Sequence, residues 1–553
     1  MKKRIITGLI SAVLALSLAA CGGNDSGDSQ QTAPAEGQGQ QTEAETSEPH
    51  VGGTLTVGIS GEPYNIATWL SNDMNSHLLM NLVLPSMMVV NEKGEKEPYI
   101  IESYEASEDL KTYTIKLHDG LTWHDGEPLT AEDLAFTADY CVKHSLSFGA
   151  DMFKSVESSE VVDDTTVIFH LSIPSVSFVS QMGYWVDIMP KHIYENVDDP
   201  MNFEFNGVGY GPYKLTDYAK GEYYTLERVE NWPLANDGQG AYLDKIIFRV
   251  YADPNALVLA MKNGEVDVSG TELPVSAQNQ LADSDGQFTI ESVESLGYGY
   301  LAFNCSNEFL SDKTVRQALA MTIDRDGIVT AALQGGARKM ETPVSPVYTD
   351  LVQSNITYPA FDIEGANKLL DDAGYTDTDN DGVREMNGKP MEFEVVYKNS
   401  SNNIDAVANI FKSNAEQAGF KINIKSLDIA AFTSNVVQGH DYDINIQEWG
   451  VIDDVDSKGL SNIYLSDCSM NFMEYYNENV DSILAQLETE PDKAKRLELL
   501  DEFQKIYVDE LPVVNCWVRT KAYGCSNKFA GWSLTPGLYG VMDVKDLTHV
   551  YEK

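Results

Sequence analysis

Residues 119–136 read DGLTWHDGEPLTAEDLAF, and this stretch decides the class of fold. Just ahead of it Tyr113, Ile115 and Leu117 alternate with polar residues, the period of a strand with one face buried. Asp119-Gly120 and Asp125-Gly126 are turn dipeptides, in which glycine supplies the positive φ that a tight turn needs. Thr130 with Asp133 makes a capping box, and Leu134, Ala138, Cys141 and Val142 follow at helical spacing. Strand, turns and capped helix in succession predict a mixed α/β architecture.

The same patterns recur on both sides. Leu55, Val57 and Ile59 predict one strand. Val167, Phe169 and Leu171 predict a second, entered by the turn at Asp163-Asp164, and Ile246, Phe248 and Val250 a third. Ile404, Val407, Ala408, Phe411, Ala415 and Ala418 form a helical stripe that Gly419 ends, and Phe420, Ile422 and Ile424 begin a strand at once. Pro491 opens a further helix with Leu497, Leu500, Phe503 and Tyr507, stopped by Pro512. The roughly 500 residues after position 50 exceed one ordinary core, so two or three domains are expected.

At the start of the chain Lys2, Lys3 and Arg4 precede an apolar run from Ile5 to Leu18, the pattern of a secretory signal. The run closes on Leu18-Ala19-Ala20-Cys21-Gly22. This resembles a bacterial lipobox and implies acylation of the Cys21 thiol after residues 1–20 are removed. Residues 22–50 hold six acids, no Lys or Arg and almost nothing apolar, which predicts a flexible, self-repelling tether. Over the whole chain 38 basic residues stand against 85 acidic ones, a net charge of −47 that repels nucleic acid and anionic lipid headgroups. Beyond Cys21 there remain Cys141, Cys305, Cys468, Cys516 and Cys525, an odd number that leaves at least one unpaired within the chain.

Several local motifs read as turns. Gly207, Gly209 and Gly211 form a loose Gly-x-Gly-x-Gly, but Pro212 and a strand-like run follow where a dinucleotide loop needs a helix. His118-Asp119 and His124-Asp125 each precede glycine and are not spaced for one helix face, so turn chemistry is favoured over metal. Asp377, Asp379, Asp381 and Gly382 resemble the start of a calcium loop. Its twelfth position is Gly388 instead of a bidentate acid, although Glu385 lies near. A polar loop is the favoured reading, and no metal and no cofactor are assigned. Neither G-x-S-x-G, S-x-x-K nor H-E-x-x-H occurs, so no enzyme is expected.

Four longer segments share one resemblance. They are residues 119–136, then GYGPYKLTDYAKGEYYTLERVENW (209–232), LDKIIFRVYADPNALVLAMKNGEVDV (243–268) and YLAFNCSNEFLSDKTVRQALAMTIDRDGIV (300–329). Their order and spacing resemble the extracellular solute-binding proteins of the oligopeptide, dipeptide and nickel type. The resemblance implies a two-lobed, three-domain periplasmic-binding-protein-like α/β fold with hinge closure. Domain I would comprise 51–84, 208–300 and 519–553, domain II 85–207 and domain III 301–518. It also implies a monomer held outside the cytoplasmic membrane by its lipid anchor. Such a protein hands a small solute, short peptides being the cargo the resemblance favours, to an ABC permease and ATPase on separate chains. Oligosaccharides, metal chelates, or peptide sensing without import are the alternatives.

Residues 442–466, YDINIQEWGVIDDVDSKGLSNIYLS, resemble the peptide-binding region of that family, where a Trp is followed by an Asp that pairs with the peptide's terminal ammonium. Trp449 matches the first. Asp453 is the better match for the second, with Asp454 its rival. Tyr298 and Tyr300 complete the expected aromatic wall.

Overall fold

The computed structural model describes residues 48–71, 73–284, 286–353, 355–399 and 403–553. Cys21 and the tether up to residue 47 lie outside these residues. Among the described residues no helix is long and apolar enough to cross a membrane.

The largest sheet runs, in spatial order, through Lys421–Leu427, Glu392–Lys398, Ile444–Glu448, Gly299–Phe303, Val513–Ser526, Val268–Ser269, Thr54–Ser60, Lys245–Tyr251, Tyr223–Arg228 and Tyr213–Ala219. The expected strands at Leu55, Ile246 and Ile422 are members of it. A separate antiparallel sheet orders Ile101–Ala106, Thr112–Leu117, Thr166–Leu171 and Val156–Val161. Tyr113, Ile115, Leu117, Val167, Phe169 and Leu171 all point into its buried face. Helix Ala131–His144 follows the opening turns as expected, and the Asp133 carboxylate accepts from the Thr130 backbone N–H at 2.9 Å.

The molecule has two lobes. One holds the four-stranded sheet and the strands from Val268–Ser269 to Tyr213–Ala219. The other holds Gly299–Phe303, Ile444–Glu448, Glu392–Lys398 and Lys421–Leu427, packed with helix Ile404–Gln417 into a core that includes Phe303, Phe393, Phe411 and Ile444.

Strand Val513–Ser526 belongs to both lobes. Its first half pairs with Gly299–Phe303, and its second half with Phe288–Glu294. The chain therefore crosses twice side by side, once along residues 294–299 and once along 517–520. Buried along nearly all its length, this strand shows no hydrophobic alternation.

One boundary differs from the sequence reading. The helix expected to open at Pro491 runs Lys493–Glu510, because the Asp492 carboxylate caps it by accepting from the Ala494 N–H at 2.9 Å. It ends at Leu511 in a left-handed conformation just before Pro512.

The glycine motif and His124 meet in one turn. Cβ atoms on Gly209 and Gly211 would stand 2.0 and 2.3 Å from the carbonyl oxygens of Val83 and Leu82, so only glycine permits this approach. His124 clamps the turn: Nδ1 accepts from the Gly209 N–H at 3.2 Å, and Nε2 donates to the Gly211 carbonyl at 3.0 Å. That pattern requires the neutral ring, and burial pushes its pKa down to about 4. Gly120 and Gly126 have positive φ, as Asp-Gly turns require.

Candidate functional site: the cleft between the lobes

A cavity of about 920 Å³ lies where the two lobes face each other beside the crossing strands. Gly270, Thr271 and Glu272 reach it from one lobe, and Gln447 to Val451 from the other. Arg519 and Lys521, on the crossing strand, form its back.

Gly297 brings the crossing against the end of strand Ile444–Glu448. A Cβ there would stand 1.9 Å from the Trp449 carbonyl oxygen. The Trp449 N–H donates to the Tyr298 carbonyl at 2.9 Å, continuing the ladder one residue past the strand.

Charges of both signs line this cavity. Arg519 lies 3.3 Å from Glu272 and 3.6 Å from Glu448, and so ties carboxylates of the two lobes to the crossing strand. Glu448 also accepts from the Trp517 Nε1–H at 2.8 Å. Lys521 donates to the Gly537 carbonyl at 3.1 Å, and burial pulls its pKa below the usual lysine value while Glu272 opposes the shift.

Of the residues singled out in the sequence, Trp449 and Tyr298 line the cavity. The Tyr298 hydroxyl lies 2.7 Å from that of Tyr464. Tyr300 stands behind the wall, its ring stacked on Trp449 at 5.8 Å between centroids. Trp449 makes a second near-parallel stack with Phe472 at 5.9 Å.

Asp453 and Asp454 are not among the lining residues; they sit beside the cavity at the seam between lobes. Lys96, from strand Lys96–Pro98 of the opposite lobe, places Nζ 2.6 Å from Asp453 Oδ2 and 2.9 Å from Asp454 Oδ2. Trp185 donates from Nε1 to Asp453 at 3.0 Å, while Ser180 and Gln181 donate to Asp454. The carboxylate expected to receive a cargo ammonium is thus already engaged by an ammonium of the protein itself.

The sequence reading missed Lys96, Trp185, Gln181, Glu272, Glu448, Arg519 and Lys521. Apart from Glu448, which precedes Trp449 in the stretch 442–466, none sits in a local motif; only the fold brings them together.

Asp377, Asp379, Asp381 and Glu385 do converge, their carboxylate oxygens within 4.8 Å of one another. Asp377 already accepts from the N–H groups of Asn380 and Gly382, at 2.7 and 2.9 Å. The cluster lies in the turn between helix Ile363–Asp372 and strand Glu385–Met386, and none of its residues lines the cleft.

Two lobes joined by adjacent crossings around a cavity with charges of both signs define a cleft-type solute-binding protein. Residues 95–471 match the model of the bacterial extracellular solute-binding proteins, family 5 Middle, and the chain belongs to this family. It is 26% identical over 506 residues to the oligopeptide-binding protein AppA of Bacillus subtilis strain 168, covering 90% of this chain and 89% of that one. Among solved structures, the ABC transporter substrate-binding protein CtaP of Listeria monocytogenes superposes with a TM-score of 0.78 at 27% identity, covering 91% of this chain and 99% of that one. NikZ of Campylobacter jejuni, solved with Ni(L-His), gives a TM-score of 0.73 at 25% identity, covering 90% and 99%.

Proposed function

We propose that this protein captures short peptides outside the cytoplasmic membrane and delivers them to an ABC permease driven by a separate ATPase chain. The observation that carries this reading is the cavity itself. At about 920 Å³ it stands at the upper end of small-molecule sites, room for an oligomeric solute rather than a single amino acid. Glu272, Glu448, Arg519 and Lys521 supply charges of both signs, as a zwitterionic chain requires. AppA and several other relatives are named as peptide-binding proteins, which supports the same cargo.

In this reading domain I comprises 51–84, 208–300 and 519–553, domain II 85–207 and domain III 301–518. The sheet order and the two crossings support that division. The lobes close about residues 294–299 and 517–520, the mature chain works as a monomer, and acylated Cys21 holds it at the outer face of the membrane. The protein binds without catalysing a reaction.

The test is a thermal-denaturation screen of the chain from residue 48 onward against peptides, oligosaccharides and nickel–histidine. A true cargo at a hundred times its dissociation constant stabilises by about 2.7 kcal/mol. Stabilisation by a sugar or chelate, with none by peptides, refutes the peptide reading.

A further inference from the structure

The seam beside the cavity is built around one buried cation. Lys96 exposes 2% of its side chain, against 10% for Asp453 and 16% for Asp454. Its ammonium also lies 4.9 Å from the centre of the Tyr184 ring. Helix Phe178–Trp185 supplies the remaining donors to the carboxylates through Ser180, Gln181 and Trp185. Both carboxylates come from one lobe, and every donor just named comes from the other.

Their placement is fixed by backbone. Asp454 adopts a left-handed conformation with φ of 46°, and its carbonyl accepts from the N–H groups of Ser457 and Gly459 at 3.0 Å each. A Cβ on Gly459 would stand 1.8 Å from the Asp453 carbonyl oxygen. Neighbouring pairs reinforce the seam: Lys93 lies 3.5 Å from Asp350, and Lys493 lies 3.0 Å from Glu95.

Trp185 links this cluster to the cavity, since its ring lines the cavity while its Nε1–H serves Asp453. A cargo ammonium seeking Asp453 would have to displace a cation already within hydrogen-bond distance of both acids. Without Lys96, two carboxylates would face each other out of water, a state that opening the lobes relieves at neutral pH and that protonation of one acid relieves as pH falls.

We propose that Lys96 is a resident cation that satisfies Asp453 and Asp454 when the lobes meet, so that cargo is selected without reference to a free amino terminus. This specificity rests on the peptide reading above. Lobe closure carries its own counter-charge, and the charges that face cargo are the Arg519 network with Glu272 and Glu448, together with Lys521, along the cavity.

The experiment has two arms. In the first, a pool of random-sequence synthetic peptides, amino termini free or acetylated, is titrated calorimetrically into the wild type. Acetylation is expected to change affinity by less than about threefold. A loss of about a hundredfold on acetylation, the scale for stranding a buried charge, overturns the proposal by giving Asp453 to the cargo.

The second arm uses no cargo and compares small-angle scattering of the wild type with Lys96→Met. The variant is expected to be the more extended. The triple variant Lys96→Met, Asp453→Asn, Asp454→Asn, which removes the cation and both anions together, is expected to return to the wild-type curve. It also decides the matter if Lys96→Met alone does not fold. Superimposable curves for wild type and Lys96→Met, or a triple variant as extended as the single one, overturn the proposal. If no peptide binds, the peptide reading falls, and Lys96 is still judged by scattering.

Discussion

The indole of Trp517 fills the space that a side chain on Gly299 would occupy. A Cβ on Gly299 would stand 1.9 Å from Trp517 Cε2, and the two residues pair directly across the crossing strands. Trp517 is fully buried and holds Glu448 at the edge of the cavity through its Nε1–H. Gly299→Ala should therefore destabilise the protein by about 1–3 kcal/mol, as overpacking in a tight core does. Gly450→Ala, where nothing lies within 4 Å of the added Cβ, should stay within about 0.5 kcal/mol of wild type. Urea denaturation checks both; a fully stable Gly299→Ala would mean that the ring does not define this crossing.

His124 predicts a pH dependence whose sign is fixed. Its pKa in the folded chain is about 4, below the ordinary 6.5, because burial favours the neutral ring. Between these values the unfolded chain binds the proton that the folded chain refuses, so this contribution is complete above pH 6.5 and is lost as pH falls toward 4. The loss amounts to at most about 3 kcal/mol. Denaturation curves of wild type and His124→Gln, subtracted at each pH, remove the contributions of other titrating groups. A difference that stays flat from pH 7 to 4 contradicts the clamp on Gly209 and Gly211.

All five cysteines among the described residues are free. Burial raises the thiol pKa of Cys141 and Cys516 to about 12 and that of Cys305 to about 11, which keeps them unreactive near neutral pH. Melting with and without a reducing agent should give the same midpoint. Thiol labelling should be slow in the native state and complete in denaturant; a midpoint lowered by reductant would reveal a disulfide.

The lipobox-like sequence gives a prediction at the other end of the chain. Cys21→Ser should move the protein from the membrane fraction to the soluble fraction, since two acyl chains at about 0.8 kcal/mol per buried methylene suffice for stable attachment. Unchanged membrane association on fractionation would exclude Cys21 as the anchor.

Much of the scaffold was legible because half-buried elements announce themselves. Leu55, Val57 and Ile59 alternate since one face meets the core, and the stripe from Ile404 to Ala418 is helical for the same reason. Strand Val513–Ser526 was not legible: buried along most of its length, it carries no period. Trp449 and Tyr298 were found through resemblance to a family, not through pattern. The partnership of Lys96 with Asp453 and Asp454 could not be read at all, because hundreds of residues separate them and a lone lysine in a polar hairpin looks like any solvated charge. The sequence also offered Asp453 as an open receptor; its engagement depends on a contact between lobes.

If peptides bind in the cavity between the lobes, a side chain placed at Gly450 should block them. Gly450 lines the cavity, its φ is not positive, and the position of an added Cβ is open. Gly450→Trp should therefore fill the cavity without disturbing the fold. Calorimetric titration of wild type and Gly450→Trp with the same peptide pool is the measurement. Binding to the wild type is expected, with a loss of about a hundredfold or more in a variant of unchanged melting midpoint, the scale of a fully blocked contact of about 3 kcal/mol. Equal binding by both proteins would place the cargo elsewhere and contradict binding in the cavity.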